Sequence, residues 1–482
     1  MYVLGVDFGG GASKATLLDE KGNIVATATA EYPTFYGDDG KAEQRPDDWY
    51  RAACENIRKA IGSLDANQVG CVCFDAATHT AVLTDENFRP VADAVYWTDT
   101  RSKKQADWLK ENKGDDIFRR FKHCPDTIWT LPQLMWIKEN RTDVFAGTKH
   151  IMFAKDYVRH LFTGDCVTDY IEAQGSMLFD YDEQAWSRPY LQLLGIDEEV
   201  MPRVVTPFDE VGKVCKKAAM DSGLKEGTPV ICGATDTAME VLAAGAVKKG
   251  GMTVKLATAG RICVVTDFLK ADKQLVSYSH IKKGLYYPGT ATKSCAASLR
   301  WFRDAFGGDY AQFDEMAESV AVGSGGLIFH PYLNGELTPY ANPALRGAFT
   351  GISSAHTKAH FARAVMEGVA FSLKECLAYL KGVGYDMPAR AVLIGGGAKS
   401  RLWSGIAADV LGIELLTTQN SDSSLGAAMC AGVAAGCFKD IEEAAGKCVK
   451  ITGEVEPNKQ NLAVYDKIYD KYRRIAEFLG SL

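Results

Sequence analysis

Short apolar runs, each closed by a small or acidic residue, recur along this chain and predict the strands of a buried sheet. Tyr2-Val3-Leu4-Gly5-Val6-Asp7 reads as the first, Phe8 to Ser13 as a glycine-rich turn, and Lys14 to Asp19 as the return strand. Lys21-Gly22-Asn23 then turns into a third strand, Ile24 to Thr29. Pro46-Asp47-Asp48 opens a helix whose Trp49, Ala53, Ile57 and Ile61 make one apolar stripe. Gly70 to Phe74 is the next strand, and Val230 to Cys232 a short buried one that ends at Gly233 before an alanine-rich helix, Ala238 to Val247. Met252 to Leu256 and Arg261 to Val265 flank the small-residue turn Ala257-Thr258-Ala259-Gly260, so the opening pattern recurs. Gly325 to Leu333 is a strand running into a proline-containing loop, and Phe361 to about Leu380 a long helix. Ala391 to Ile394 is a strand leading through Gly395-Gly396-Gly397-Ala398 to a helix from Ser400 to Leu411. The fold class is α/β. Two halves that each open on a hairpin around a small-residue loop point to a duplicated fold with a cleft between the copies.

Length adds that 482 residues exceed one ordinary domain. A net charge of -7 argues against a general nucleic-acid binder but leaves room for a phosphate held by backbone amides and one lysine. The 13 cysteines are scattered without a CxxC pair, which suits buried, reduced thiols. No secretory signal is expected, because strand-like residues begin at Tyr2. The apolar run Leu425 to Phe438 is too short for a bilayer and predicts a buried helix. A cytoplasmic protein without membrane partners is the expectation.

Candidate chemistry clusters where strands end. Asp236 follows the strand Val230 to Cys232, at the mouth of an α/β sheet, where such folds bind ligands. Its bland alternative is a helix N-cap. Asp7 also ends a strand, Gly9-Gly10-Gly11 lets the backbone approach a ligand closely, and Lys14 opens the return strand. That set suits a phosphate beside a magnesium ion, although a plain hairpin loop is an even alternative. It is no dinucleotide fingerprint, since position 14 is Lys where a third glycine belongs. His79, in the loop after Gly70 to Phe74, is a candidate substrate contact, set against a structural role. Trp97 and Asp99 combine an aromatic face with a carboxylate, which suits a sugar. Strand, triple glycine and helix start at Gly395 to Ala398 read as a nucleotide site that is neither Walker A nor Rossmann. His356 and His360 lack the Glu of a zinc protease and are set aside.

The run Ile394 to Trp403 with Ala407-Ala408-Asp409-Val410-Leu411-Gly412 resembles the C-terminal signature of the FGGY family of carbohydrate kinases. Pro331 to Glu336, Arg363 to Val369, Trp97 to Arg101, Lys155-Asp156-Tyr157 and the Asp7 loop match in order, and the similarity is to the xylulokinase-like branch. The resemblance implies two ribonuclease-H-like domains of the actin and sugar-kinase type, residues 1–246 and 247–482, with the active site in the interdomain cleft. Sugar and the catalytic base would belong to the first domain and nucleotide to the second. Asp236 falls at the catalytic aspartate; Thr78, His79, Trp97 and Asp99 fall on the sugar side. Asp7, Gly9, Gly10, Gly11, Lys14, Thr258 and Gly260 fall by the phosphates and magnesium, Asp7 reaching the metal through water; Gly395, Gly396, Gly397 and Ala398 fall by the adenosine. ATP and Mg2+ are the implied cofactors, a small sugar the partner, and a homodimer is allowed. Relatives usually carry Gly-Thr-Ser at Gly9-Gly10-Gly11 and at Ala257-Thr258-Ala259, and xylulokinases Gly-Gln-Met-His at Ala76-Ala77-Thr78-His79. Smaller side chains at 77 and 78 are expected to open space beside the sugar and to shift preference away from D-xylulose. The implied reaction is ATP-dependent phosphorylation of a ketose or polyol; the alternatives are a non-catalytic sensor and an actin-like ATPase.

Overall fold

The computed structural model describes residues 1–481, in two compact units. The first comprises Met1–Val247, Tyr278–Lys283 and Asn420–Val449; the second comprises Lys248–Ser277, Gly284–Gln419 and the chain from Lys450 onward. The chain thus first changes unit after Val247, then returns to the first unit twice.

In the first unit, β1 (Tyr2–Phe8), β2 (Ala12–Asp19), β3 (Ile24–Glu31), β4 (Val69–Ala76), β5 (Glu210–Lys213) and β6 (Pro229–Ile231) form one sheet in the order β5-β6-β4-β1-β2-β3. The meander β1-β2-β3 is antiparallel, whereas β4 and β6 run parallel to β1 and to each other. Helix α1 (Pro46–Ile61) packs on β2 and β3, and its predicted stripe Trp49, Ala53, Ile57 and Ile61 is buried. Two further helices, α2 (Ala154–Thr163) and α3 (Tyr170–Gly175), lie in the mixed stretch between β4 and β5. Helix α4 is Asp236–Ala243, starting two residues earlier than the alanine run suggests. The reason is its cap: the Thr235 hydroxyl accepts from the Ala238 amide, so Asp236 is the first helical residue rather than the N-cap.

The second unit repeats the plan. The strands β7 (Met252–Leu256), β8 (Gly260–Val264), β9 (Tyr286–Thr292), β10 (Arg390–Ile394), β11 (Glu414–Thr418) and β12 (Ile451–Val455) run in the order β9-β8-β7-β10-β11-β12. Again three antiparallel strands lead, and β10 and β11 are parallel to β7. Helix α5 (Lys358–Val383), between the third and fourth of these strands, answers to α1 in the first unit. Helix α6 (Arg401–Leu411) starts one residue later than expected, because Ser400 is its cap, accepting from the Trp403 amide.

Helix α7 (Ser423–Ala434), after the fifth strand of the second sheet, belongs to the first unit. A Cβ at Gly5 would sit 2.1 Å from the Ser424 carbonyl oxygen, and one at Gly426 2.1 Å from that of Met239. Backbones therefore touch where α7 crosses β1 and α4, which is why the run from Leu425 is built from Ala and Gly. Among the described residues no helix is long and apolar enough to cross a membrane, and all 13 cysteines are free thiols.

Candidate active site

Three carboxylates gather at one edge of the first sheet. Strands β1 and β4 set Asp7 opposite Asp75, Ala76 bridges to Thr235, and Asp236 follows as the first residue of α4. Neither oxygen of Asp75, nor Oδ1 of Asp7, meets a donor in ordinary hydrogen-bond geometry; they face each other and the Ser423 hydroxyl. Burial pushes Asp75 well above the carboxylate range, with the Asp7 and Asp236 charges adding to it. Burial also raises Asp7 to about 6, against the hydrogen bond with Asp75, which pulls it down. Both carboxyls are thus raised above the carboxylate range, Asp75 the further of the two. Asp236 is partly exposed and accepts from the Thr237 amide at 2.6 Å. Lys14, opposite Asp7 on β2, is paired with Asp422 at the head of α7, so its charge is already shared. Asp75, Asp422 and Ser423 carry no role in the sequence reading. Asp75 and Asp422 obey the rule that singled out Asp7 and Asp236: each stands where a strand gives way to a turn or helix.

The loop Gly9-Gly10-Gly11 has its carbonyls turned away from that edge. Tyr32 donates to the Gly9 oxygen at 2.6 Å, while Thr34 and Gln44 donate to that of Gly10. The amides of Gly10 and Gly11 carry no hydrogen bond to the described residues. A glycine loop with tied carbonyls and exposed amides is built to take an anion.

In the loop after β4, His79 adopts φ 73 and is buried. Its amide donates to Glu172 at 2.8 Å, Nδ1–H donates to the Gly175 oxygen, and Nε2 accepts from the Tyr278 hydroxyl at 3.0 Å. Those contacts fix the Nδ1–H tautomer, and Trp129 stands edge-on to the ring. Thr78 is buried with its methyl toward Gly175. Trp97 is exposed. Asp99 is no free carboxylate: it is buried, accepts from the Ala42 and Arg101 amides, and pairs with Arg101, which also holds Glu43. Ala77 does not border open space either, because it packs in a small buried cluster with Ala42 and Tyr96. The aromatic ring fills what a smaller residue 77 was expected to vacate.

Beneath the His79 loop lies a buried ionic network made from motifs that the sequence marks as distinctive without assigning them chemistry. Lys155 Nζ sits 2.5 Å from Asp156 and 2.8 Å from Asp169, all fully buried. Asp169 caps α3, which carries Glu172 to the His79 amide. Arg159 pairs with Asp156 and donates to the Cys232 oxygen at 2.6 Å, bracing the chain just before Asp236.

In the second unit, Thr258 is exposed and its carbonyl accepts from the Cys295 and Ala297 amides. A Cβ at Gly260 would collide with Thr292 at 2.7 Å, and Gly395 has φ 92 with the Leu256 oxygen 2.6 Å from its Cβ position. Gly397 is packed against Leu256 and Trp403, and Ala398 is half-buried. Gly396 alone of this triplet faces space open to at least 4 Å. Residues Gly396–Lys399 form a 3-10 turn, and Ser400 caps α6, so the triple glycine does not run straight into the helix.

Residues 2–243 match the N-terminal-domain model of the FGGY family of carbohydrate kinases, and residues 264–435 match its C-terminal-domain model. The chain belongs to this family. The FGGY chain is 31% identical to a xylulose kinase of Bacillus subtilis (strain 168), over 98% of its own length and 96% of the relative's. A solved xylulose kinase from Lactobacillus acidophilus with bound ligand superposes with TM-score 0.93, at 25% identity, over 99% of this chain and 98% of that one. A gluconate kinase from the same organism gives TM-score 0.93, at 26% identity and the same coverage. The fold is thus that of the FGGY sugar kinases, and the enzyme class is carbohydrate kinase, with ATP the phosphoryl donor that the family implies.

Magnesium is tested against the donors at hand. Among the described residues no group of three or more His, Cys, Asp and Glu could enclose a metal ion. Magnesium commonly keeps several waters and uses one or two carboxylates plus substrate phosphates, and the ionisable Asp7 beside an anion-receiving loop fits that open mode.

Proposed function

We propose that this FGGY chain transfers the terminal phosphoryl group of ATP to a hydroxyl of a neutral ketose or polyol, with Asp236 as general base. The observation that carries the reading is a partly exposed carboxylate at the head of α4, on the sheet edge shared with Asp7, Asp75 and the amides of Gly10 and Gly11. The acceptor oxygen gives its proton to Asp236 and bonds to phosphorus as phosphorus separates from the bridging oxygen of ADP. Positioning and charge neutralisation supply most of such catalysis. Asp7 would hold Mg2+ through water, and the ion would neutralise phosphate charge. The Gly9 to Gly11 loop serves the phosphates through its amides, while Lys14 beside it is held by Asp422. Thr258 and Gly396 serve the nucleotide, while Gly260, Gly395 and Gly397 keep their turns in shape.

His79 and Trp97 present the sugar's surroundings, Thr78 and Ala77 act through packing, and Asp99 acts through its ion pair with Arg101. A neutral acceptor is favoured over a sugar acid because the first unit sets three carboxylates here while Lys14 and Arg101 are already paired.

An ADP-release assay across ketoses, polyols, D-xylulose and D-gluconate tests this, run on wild type and Asp236→Asn. A neutral acceptor should drive release, and the variant should lose roughly 10²–10⁴-fold in kcat with ATP binding intact. Near-normal turnover of Asp236→Asn removes the base; D-gluconate as best acceptor removes the neutral-acceptor reading.

A further inference from the structure

The buried Tyr96 ring lies between the acceptor flank and the phosphate loop. It packs on Ala77 and Ala42, and its amide is tied to the Ala42 oxygen. At its other end the hydroxyl reaches the glycine loop, 3.1 Å from where a Gly10 Cβ would stand. Residue 10 therefore lies under a phenol, and a side chain there would press on the hydroxyl. The neighbouring Trp97 ring is 5.8 Å from that of Tyr96. Burial, with the Asp236 charge adding to it, pushes the Tyr96 phenol up, so the hydroxyl keeps its proton and can donate.

A rigid donor aimed at an amide loop completes an anion site. The amides of Gly10 and Gly11 approach from the backbone, and the phenol O–H comes from a side chain locked by Ala77, Ala42 and Trp97. Neutral donors suit this place, because the one nearby lysine is spent on Asp422. Donors fixed in advance stabilise charge that shifts during transfer without having to reorganise.

We propose that Tyr96 is a catalytic residue whose hydroxyl donates a hydrogen bond to the phosphoryl group held over Gly10 as it passes to the acceptor. The proposal rests on the phosphoryl-transfer reading above. It also explains why a small residue stands at position 77: the alanine is the seat of the ring.

The test is steady-state ADP release by the full-length protein with its best neutral acceptor, for Tyr96→Phe, Gly10→Ala and the double variant, with Asp236→Asn alongside. Tyr96→Phe keeps the packing and removes one oxygen. Its kcat should fall about 10–100-fold, the worth of one hydrogen bond to a charged group, with KM for the sugar unchanged. Gly10→Ala should also lower kcat, by pushing the hydroxyl aside, and should cost little more once the hydroxyl is gone. Wild-type kcat in Tyr96→Phe overturns the proposal, as does a loss confined to the sugar KM. If Asp236→Asn loses turnover while Tyr96→Phe keeps it, Tyr96 alone is refuted. If Asp236→Asn keeps turnover, the phosphoryl-transfer site is misread and the Tyr96 assignment falls with it.

Discussion

In the first unit the strands that reach the functional edge carry Asp7 and Asp75 one residue before their ends, with Asp236 heading the helix after β6. In the second unit the strands of matching rank end at Leu256 and Ile394, and the residues that follow are Ala257 and Gly395. The strand orders agree, three antiparallel strands followed by two parallel ones. The end residues do not. One copy of the plan carries carboxylates that can hold a proton or a cation; the other carries small residues that let backbone approach a ligand. Even the helices that follow β6 and β11 differ in use, since α4 stays with its sheet while α7 joins the first unit and brings Asp422 and Ser423 there.

The interiors differ in the same sense. Beneath its site the first unit buries full charges, Lys155, Asp156, Arg159 and Asp169, each with a partner of opposite sign. The second also buries an ion pair, Arg363 with Glu367, and adds a carboxyl among phenols: Tyr340 and Tyr332 donate to Glu375, and Tyr332 meets Tyr472 at 3.0 Å. A permanent ion pair must keep both partners, whereas a carboxyl among hydroxyls can keep its proton.

Three substitutions sharpen or break that contrast. The largest effect is expected from Arg159→Ala, which leaves Asp165 without its cation, leaves Asp156 with Lys155 alone, and frees the Cys232 and Val167 oxygens. Removing one partner of a buried pair costs about 3–5 kcal/mol. Urea unfolding should show that loss; a cost below about 1 kcal/mol, the range of surface pairs, would mean the network is not structural.

Next is Glu375→Gln. Burial raises Glu375 from 4.5 to about 7 in the folded protein. Between those values the unfolded chain gives up its proton and the folded one keeps it, so stability falls as pH rises from 4.5 to about 7 and is flat above. The loss is roughly 3 kcal/mol by linkage. Unfolding at about pH 5 and about pH 8 should show the fall in wild type and a smaller one in the amide variant; equal pH dependence in both would contradict the raised carboxyl.

The smallest is Gly396→Val. Its Cβ position is open and its φ ordinary, so folding should be unaffected while ATP affinity drops about tenfold, or 1.4 kcal/mol. Calorimetry with unchanged ATP affinity would take Gly396 out of the nucleotide site. Loss of sugar affinity instead would reverse the roles given to the two units.

Much of this molecule could be read along the chain. Periodicity marks β1, β2, α1, β7 and α5 because each buries a face that a single stretch of sequence already encodes. The strand-end rule marks Asp7 and Asp236, since a carboxylate after a buried strand is a local feature. The small-residue run in α7 likewise announces a buried helix.

What crosses long stretches of chain could not be read that way. Asp75 faces Asp7 only because β4 lies beside β1 in register, and Asp422 meets Lys14 across 408 residues. Asp99, a lone carboxylate near an aromatic in sequence, is committed to Arg101 and the Ala42 amide. Gly260, Gly395 and Gly397 look alike with Gly396 in sequence, but their missing Cβ atoms answer to packing or backbone conformation, and of the four only Gly396 has an open Cβ position. Ala77 reads as a vacancy until Tyr96 is seen to fill it. Apolar spacing is written in neighbours along the chain, and so is secondary structure. The protonation of a carboxyl and the space left beside a small residue depend on atoms that folding brings from elsewhere.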